Sequence, residues 1–260
     1  MRLRDRAVVI TGAGGGIGRA VARAFVAEGA AVVASDVGPS AEETAGLLRS
    51  TGGRAIGVTS DVTDLAAMEA LMARAVAELG GIDVVVTCAG LGTSGLLLDQ
   101  DPADWLRVID VNLNVTYRTI RAALPHLIAR GVGRIVTVAS VFGRVGGSGF
   151  VSAYVASKHG VVGLTRALAA ELGSQGHRGI TVNAICPGYV RAGMGLAPQS
   201  TKAGPMSGEE IFDRYYKRQV PLRRMIEAEE IGNVAVFLAL PESAAITGQA
   251  LNVDGGFVMS

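Results

Sequence analysis

Apolar, β-branched runs alternate with segments of helical periodicity along the chain, and this alternation limits the possible folds more than any other feature. Seven runs predict strands, at residues 7–11, 31–36, 55–60, 82–87, 133–140, 180–185 and 250–254. A helical period follows each of the first six, for example at residues 17–28, 41–50, 65–79 and 153–172. Because the runs are continuously apolar, helices should cover both faces of the sheet. We therefore predict a single α/β domain over residues 1–260, with a doubly wound, seven-stranded parallel sheet.

Two stretches interrupt this regular alternation. Residues 102–130 carry a long helical period with Pro125 inside it, which predicts two helices or one bent helix. Residues 187–208 show no clear periodicity, and a short polar helix is predicted at residues 209–219. Long irregular loops in compact domains are usually lids or binding loops, so residues 187–219 are interpreted as a substrate lid, with a disordered excursion as the alternative.

Composition and charge exclude several classes of partner. The formal net charge is +1, and the basic residues are dispersed, so no electrostatic footprint for nucleic acid or an anionic membrane is present. Charged residues interrupt every apolar run before the ~20 residues of a membrane span. The start of the chain lacks the features of a signal peptide, which favours the cytoplasm. Cys88 and Cys186 end apolar runs and are interpreted as buried, unpaired thiols. A small-molecule ligand is expected.

The first predicted strand runs directly into a glycine-rich loop and a helix. The loop reads Thr11-Gly12-Ala13-Gly14-Gly15-Gly16-Ile17-Gly18. Glycines permit a tight turn and bring backbone N–H groups close to a pyrophosphate, and the helix N-terminus adds favourable polarity. In this position between a first strand and its helix, the loop predicts dinucleotide binding in a Rossmann fold rather than a plain turn.

Two aspartates follow the second and third strands. Asp36 lies 18 residues beyond Gly18, where a carboxylate can accept hydrogen bonds from the adenosine ribose and repel a 2′-phosphate. Gly15 offers no positive charge for such a phosphate, so both residues favour NAD over NADP; a surface aspartate capping the next turn is the alternative. Asp61 could contact adenine or cap the helix that starts near Thr63, and the sequence does not decide between these roles.

Tyr154 and Lys158 are four residues apart at the start of a helical segment, so their side chains share one face. A free phenol has a pKa of about 10, but a nearby ammonium and a positive nicotinamide ring favour the phenolate. Ser140 ends the fifth strand, where its hydroxyl could hold a substrate oxygen beside the phenol. These residues together predict an acid/base site for hydride-transfer chemistry, whereas the pair alone would be typical of a helix surface.

These motifs resemble, over nearly the whole chain, those of the short-chain dehydrogenase/reductase family. The similarity covers the glycine loop, Asp61-Val62, Cys88-Ala89-Gly90, Asn112, Ser140, Tyr154, Lys158, Pro187-Gly188 and the tail from Thr247. The resemblance implies that Tyr154 gives or takes the proton, Ser140 orients the substrate, and Lys158 binds the nicotinamide ribose and lowers the phenol's pKa. It further implies that Asn112 holds a relay water, that Val190 lies near the carboxamide, and that the protein is a homotetramer or homodimer.

Three features depart from the family's usual pattern. Thr87 and Cys88 replace two asparagines, so amide hydrogen bonds to the cofactor region are lost. Ala192 replaces a threonine that often bonds the nicotinamide amide. The loop between Ser140 and Tyr154 is one residue longer than usual, and its glycines should make it pliable; they are Gly143, Gly146, Gly147 and Gly149.

Several other residues invite a catalytic or binding role. His159 follows Lys158 but should point about 100° away from it, which favours packing or solvent exposure. Trp105 lies on an amphipathic helix, so packing in the core is expected. Tyr215 and Tyr216, near the lid, could line the pocket.

The leading hypothesis is an NAD(H)-dependent oxidoreductase acting on a secondary alcohol, polyol or hydroxyketone. The tail through Ser260 resembles that of sugar-alcohol members of the family. The alternative is an NADPH-dependent ketoreductase of acyl or polyketide thioesters, because residues 156–163 are similar to that branch. A non-catalytic dinucleotide sensor is disfavoured, since a sensor needs no combination of Tyr154, Lys158, Ser140 and Asn112.

Overall fold

The fold is taken from a computed structural model, which describes residues 1–92, 94–147, 150–201 and 204–259. Gly149 of the glycine-rich loop and Ser260 of the tail lie outside the described residues. In the described part of the chain, no helix combines the length and apolar character needed to cross a membrane.

The centre of the molecule is the predicted seven-stranded parallel sheet. Its strands, in chain order, are β1 (Ala7–Thr11), β2 (Ala31–Asp36), β3 (Ala55–Thr59), β4 (Val84–Thr87), β5 (Gly133–Val138), β6 (Ile180–Pro187) and, last in the chain, β9 (Ala250–Val253). Across the sheet the order is β3-β2-β1-β4-β5-β6-β9. The order reverses between β1 and β4, which is the place where doubly wound folds bind ligands at the carboxyl ends of the strands.

Helices cover both faces of the sheet. They are α1 (Gly16–Ala27), α2 (Ser40–Ser50), α3 (Leu65–Leu79), α4 (Pro102–Ile109), α5 (Val115–Arg130), α6 (Ser152–Ser174), α7 (Gly208–Ile211) and α8 (Ala228–Ala239). Successive strand residues point to opposite faces, so Val8 and Ile10 pack in the core beneath α1 and α8. Val9 and Val85 pack in the second core, with α3 and α5. Two separate cores therefore hold the carboxyl ends of the strands in register.

The predicted interruption at residues 102–130 is present, but Pro125 does not cause it. Pro125 lies inside the continuous helix α5. The break is a π-helical turn at Asp110–Asn114, between α4 and α5. Such turns widen a helix locally and are frequent at functional sites.

The region after β6 is more ordered than its sequence predicts. Two short strands, β7 (Gln199–Thr201) and β8 (Gly204–Met206), pair antiparallel within the stretch expected to be irregular. The predicted polar helix at residues 209–219 is wrong in extent: α7 ends at Ile211 and continues as a π-helical turn over Phe212–Tyr216. A capping box of Ser207 and Glu210 fixes the start of α7, which the composition alone did not reveal.

Candidate functional site

The glycine loop between β1 and α1 is shaped by close backbone contacts. A Cβ atom on Gly18 would lie 2.0 Å from the carbonyl oxygen of Gly12, and one on Gly12 would lie 2.5 Å from the backbone nitrogen of Ala89. Gly12 also has a φ of 68°, a conformation that favours glycine. No side chain caps the N-terminus of α1, so its first N–H groups can bind a phosphate group.

Asp36 stands beside this loop at the end of β2. Its Oδ2 accepts a hydrogen bond from the Gly14 backbone nitrogen at 2.9 Å, and its Oδ1 accepts one from Val37 at 2.8 Å. None of the ion pairs among the described residues includes Asp36. The nearby Arg19 instead binds the Gly14 carbonyl oxygen and Thr44. A negative charge without a paired cation therefore lies at the outer end of the loop.

Asp61 does not cap a helix, contrary to one of its two predicted roles. Its Oδ1 accepts hydrogen bonds from the backbone nitrogen and the hydroxyl of Thr63, at 2.8 and 2.7 Å, and these bonds hold the pKa of its carboxyl below the usual value. Asp64 caps the helix, because α3 begins at Leu65. Asp61 is exposed and the neighbouring Val62 is buried, so an adenine contact stays a prediction for the pair.

The turn after β4 brings the glycine loop next to Lys158. The backbone nitrogen of Cys88 donates to Thr11 at 3.0 Å, which ties this turn to the end of β1. Gly90 lies between two predicted site residues: a Cβ there would be 3.2 Å from Asn112 Oδ1 and 3.5 Å from Lys158 Nζ. A side chain at position 90 would therefore crowd Asn112 and come into van der Waals contact with Lys158.

Tyr154 and Lys158 lie on one face of the first turns of α6, as predicted. Lys158 Nζ is 5.7 Å from the centre of the Tyr154 ring. The lysine is only 5% exposed, and its Nζ donates to the Val138 carbonyl oxygen at 3.0 Å. Burial lowers the pKa of Lys158 to about 8, because removing water penalises the charged ammonium.

The protein groups alone do not lower the pKa of the Tyr154 phenol, and the predicted fall, which also requires the positive nicotinamide ring, stays a prediction. Burial raises that pKa, and a hydrogen bond with the Ser140 hydroxyl opposes the rise. The ammonium of Lys158 does not reverse it, because it is directed to Val138 and is itself desolvated. Ser140 lies two residues beyond the end of β5 and also accepts a bond from the Phe142 backbone nitrogen at 3.1 Å. The serine hydroxyl thus meets the phenol, as the sequence predicted.

Asn112 lies in the π-helical turn and is fully buried. Its Oδ1 accepts from the backbone nitrogen of Leu91 at 2.8 Å, and its Nδ2 donates to the Leu91 oxygen and to Ser157 Oγ, both at 3.0 Å. Ser157 in turn donates to the Tyr154 carbonyl oxygen at 2.7 Å. Asn112 therefore joins the turn after β4 to the helix that carries Tyr154, and its role toward a relay water stays a prediction.

The segment after β6 lies across the carboxyl edge of the sheet. The backbone nitrogen of Gly188, just after Pro187, donates to Val253, and Val190 forms a bridge with Ile226. Farther along, Gly193 approaches Gly16 of the glycine loop, and the side chain of Met194 packs over Gly92. This segment thus spans the cleft between the glycine loop and the turn after β4.

Comparisons with known proteins decide the family. A family model described as enoyl-(acyl carrier protein) reductase matches residues 12–258. The chain belongs to the short-chain dehydrogenase/reductase family. It is accordingly an oxidoreductase that acts on alcohol or ketone groups with NAD(P).

Individual relatives cover almost the full length of the chain. Oxidoreductase UcpA of Salmonella typhimurium is 39% identical over 98% of this chain and 95% of its own. Cis-4-hydroxycyclohexanecarboxylate dehydrogenase of Sinomonas cyclohexanicum is 38% identical over 97% of this chain and 96% of its own. Among solved structures, a variant of actinorhodin polyketide ketoreductase with NADPH has a TM-score of 0.90 and 38% identity, covering 99% of both chains.

The departures from the family pattern have visible consequences in the structure. The buried hydroxyl of Thr87 finds no hydrogen-bond partner among the described residues, so it does not replace an asparagine amide. Both cysteines are free, as predicted, but only Cys186 is buried; Cys88 is half-buried, and desolvation raises the pKa of its thiol to about 12. Ala192 precedes the short helical turn Gly193–Gly195 and supplies no side-chain cap.

Apart from Tyr216, which the sequence suggested as a pocket residue, the aromatic residues near Tyr154 form the part of the site that sequence reasoning missed. The ring of Tyr189 stacks on Tyr216 at a centroid distance of 4.1 Å and meets the edges of Phe142 and Phe257, both at 6.2 Å. Phe142 contacts the Tyr154 ring edge-on at 6.5 Å. The position of Tyr189 directly after Pro187-Gly188 could have indicated that it lies at the site. Nothing in the sequence indicated that Phe142 and Phe257 would both contact it.

Of the other candidate residues, Tyr216 lies at this site, whereas His159, Trp105 and Tyr215 do not. His159 is exposed, and its Nδ1 lies 3.0 Å from the Val155 carbonyl oxygen, which agrees with the prediction against a catalytic role. Trp105 is half-buried and belongs to neither of the two main cores, so the expectation of core packing was wrong. Its helix α4 is short and mostly exposed. Tyr215 is 45% exposed and packs against Arg214, whereas Tyr216 joins the aromatic rings.

Proposed function

We propose that the protein is an NAD(H)-dependent oxidoreductase that moves a hydride between the nicotinamide and a secondary alcohol or ketone, with Tyr154 as the general acid or base. The observation that carries this proposal is the meeting of Tyr154, Lys158 and Ser140. The phenol bonds to the serine hydroxyl, and the buried ammonium lies 5.7 Å from the ring. A phenol held by a hydroxyl that can also bond a substrate oxygen is placed to act as general acid or base on that oxygen.

The backbone around the glycine loop fits a dinucleotide. Side chains are absent where the loop approaches β4, and the first N–H groups of α1 are uncapped. Gly14, Gly15, Gly16 and Ile17 would contact the pyrophosphate, and Val62, Ala89, Gly90, Gly188 and Val190 would line the remaining cofactor surface. When bound, NAD supplies or accepts the hydride.

The four catalytic residues have different proposed roles. Ser140 orients the substrate oxygen toward Tyr154, which gives or takes the proton at that oxygen. Lys158 binds the nicotinamide ribose and, once turned toward the cleft, lowers the pKa of the phenol. Asn112 fixes the distance between the turn after β4 and α6 through Leu91 and Ser157.

The preference for NAD rests on Asp36. Its carboxylate has no cation paired with it among the described ion pairs and stands next to Gly14, where the adenosine ribose would lie. A carboxylate there accepts hydrogen bonds from the ribose hydroxyls and repels a 2′-phosphate. Arg19, the cation near this position, is already bound to Gly14, Thr44 and Glu43.

An NADPH-dependent ketoreductase of acyl or polyketide thioesters is the second candidate. The similarity to the actinorhodin ketoreductase, whose structure was determined with NADPH, favours it. The similarity to cis-4-hydroxycyclohexanecarboxylate dehydrogenase supports the alcohol or ketone proposal instead.

A panel of secondary alcohols, polyols, cyclic ketones and β-ketoacyl thioesters, followed by cofactor absorbance, separates the two candidates. We expect turnover of an alcohol or ketone with NAD(H) to exceed that with NADP(H) by at least about tenfold, the value of one charge-assisted hydrogen bond. Faster turnover with NADPH, and with thioesters, would replace the first proposal with the second.

We also propose a homotetramer, or homodimer, on the strength of the family resemblance, and a location in the cytoplasm. Helix α6 carries exposed small residues such as Ala156, which permit close packing of a second copy. Sedimentation equilibrium giving a monomer at micromolar concentration would reject this proposal.

A further inference from the structure

Half of the aromatic residues in this chain meet at one place, beside Tyr154. The sequence contains six Phe, five Tyr and one Trp. Six of them are connected by ring contacts, namely Phe142, Tyr154, Tyr189, Phe212, Tyr216 and Phe257. They come from the turn after β5, the start of α6, the segment after β6, the lid and the tail. The fold therefore gathers rings that are distant in sequence.

Tyr189 is the centre of this group. It stacks on Tyr216 with an interplanar angle of 30°, and it meets Phe142 and Phe257 nearly at right angles. Phe212 lies beneath it at 5.8 Å. Stacked and edge-to-face pairs are the favourable arrangements of aromatic rings, so the group forms one continuous ring surface that ends at Tyr154.

The outer rings of the group are partly exposed and are not enclosed by the hydrophobic core. Phe212 is only 3% exposed, whereas Phe142, Tyr189, Tyr216 and Phe257 are each partly exposed. We name these four residues the aromatic wall. Tyr189 and Tyr216 are hydrogen-bonded to each other, and together with burial this bond raises the pKa of the Tyr189 phenol. The wall is consequently an uncharged surface beside the group proposed to transfer the proton.

The chemistry of the wall discriminates between possible substrates. A polyol would have to place hydroxyl groups against ring faces that offer few hydrogen-bond partners, which carries a desolvation cost. A flexible acyl chain would lose conformational entropy on lying along the wall. A rigid apolar ring has neither cost, and it can stack on Tyr189 or meet the edge of Phe142.

We propose that the substrate is a secondary alcohol or ketone whose reacting carbon belongs to an apolar ring, and that Tyr189 in the aromatic wall is its specificity-determining residue. This inference rests on the proposed function, because Tyr154 must act on the oxygen of that carbon. It narrows the substrate class from alcohols and ketones in general to cyclic ones.

The test compares two ten-carbon ketones, 1-tetralone and the open-chain 2-decanone, as substrates with NADH. We expect kcat/KM for 1-tetralone to exceed that for 2-decanone by about tenfold or more, since ring stacking adds to burial of apolar area. Tyr189→Leu should reduce this ratio to about twofold, mainly by raising KM for 1-tetralone. Tyr189→Phe retains the ring and should keep the ratio.

Tyr215→Leu is the matched control, because this neighbouring tyrosine is 45% exposed and packs against Arg214. It should change neither ketone's kcat/KM by more than about twofold, as is usual for a surface substitution. Binding of 1-tetralone is measured separately from its turnover. Ligand-observed NMR detects 1-tetralone bound to the Tyr154→Phe variant in the presence of NADH. Tyr189→Leu in that background should weaken 1-tetralone binding by about fivefold, in line with the change in KM.

A wild-type ratio near one, or a Tyr189→Leu variant that keeps the ring preference, would overturn the inference while other alcohols or ketones are still turned over. The inference would also be overturned if NMR detected no binding of 1-tetralone to the Tyr154→Phe variant with NADH. The proposed function fails in a different way: no alcohol or ketone in the panel is turned over although NADH binds.

Discussion

Backbone atoms shape the cofactor side of this site, whereas aromatic side chains shape its substrate side. On the cofactor side, backbone determines the shape: Cβ atoms on Gly12 or Gly18 would collide with main-chain atoms of Ala89 or Gly12. On the substrate side, ring side chains from widely separated segments meet around Tyr189. The cofactor side therefore tolerates no side chain at Gly12 or Gly18, whereas we expect the substrate side to change its ligand without a change in the fold.

The strands on the cofactor side are fixed by pairing and by packing on both faces of the sheet. Strands β1, β2 and β4 pair in register, and two cores on opposite faces hold them there. The segment after β6 and the tail are joined to neighbouring segments by a few backbone hydrogen bonds, such as those of Gly188 with Val253 and Arg191 with Ile226. Substitutions should consequently affect cofactor binding on one side and substrate choice on the other.

The largest effect is expected for Gly18→Ala. The new Cβ would lie 2.0 Å from the Gly12 oxygen, a contact that only a shift of the backbone can relieve. Overpacking of this kind costs about 3 kcal/mol, so thermal unfolding should occur at a lower temperature and NADH binding should be lost.

Gly46→Ala is the control for this substitution. Gly46 lies in α2, and the nearest atom to an added Cβ is the Arg49 guanidinium at 3.9 Å. We expect this variant to gain up to about 1 kcal/mol of stability, because alanine favours a helix over glycine. Equal behaviour of the two variants would contradict the view that backbone contacts shape the cofactor side.

Asp36→Ala should have an intermediate effect and should be confined to the choice of cofactor. Loss of the carboxylate removes the hydrogen-bond acceptor of the ribose and the repulsion of a 2′-phosphate, so the ratio of kcat/KM for NAD to that for NADP should fall by about 10- to 100-fold. Asp36→Asn keeps an acceptor for Gly14 and separates the effect of charge from that of the loop. An unchanged ratio in both variants would mean that Asp36 does not face the adenosine.

The smallest effect concerns the buried Lys158. Its pKa of about 8 in the folded protein lies below the 10.5 of a free lysine. Between these pH values the unfolded chain binds more protons than the folded one, so stability rises with pH in this window. The free energy of unfolding, relative to Lys158→Met, should increase by about 1 kcal/mol from pH 8 to 9.

Urea unfolding at several pH values measures this difference. Lys217→Met, at an exposed lysine that pairs with Asp213, serves as the matched control. A free-energy difference between wild type and Lys158→Met that stays constant or falls with pH would show that the Lys158 ammonium is not desolvated in the folded protein.

Sequence reasoning predicted the cofactor side better than the substrate side, for physical reasons. The seven strands and the one-turn spacing of Tyr154 and Lys158 are local patterns, and a parallel sheet brings the carboxyl ends of its strands to one edge. The break at Asp110–Asn114 was placed at Pro125, because proline's missing N–H is visible in sequence whereas a π-helical turn is not. The aromatic wall forms because Phe142 and Phe257 each contact Tyr189 in the folded protein. No periodicity in the sequence predicts these contacts.

The central claim is that Tyr154 transfers the proton, and the Tyr154→Phe variant tests it most directly. This variant keeps the ring that contacts Phe142 and removes only the hydroxyl that bonds to Ser140. With a ketone that the wild type reduces, we expect kcat to fall by about 10²- to 10⁴-fold, while NADH affinity measured by fluorescence stays within about twofold. Turnover within a few-fold of wild type, with Tyr215→Phe as the reference, would contradict the account.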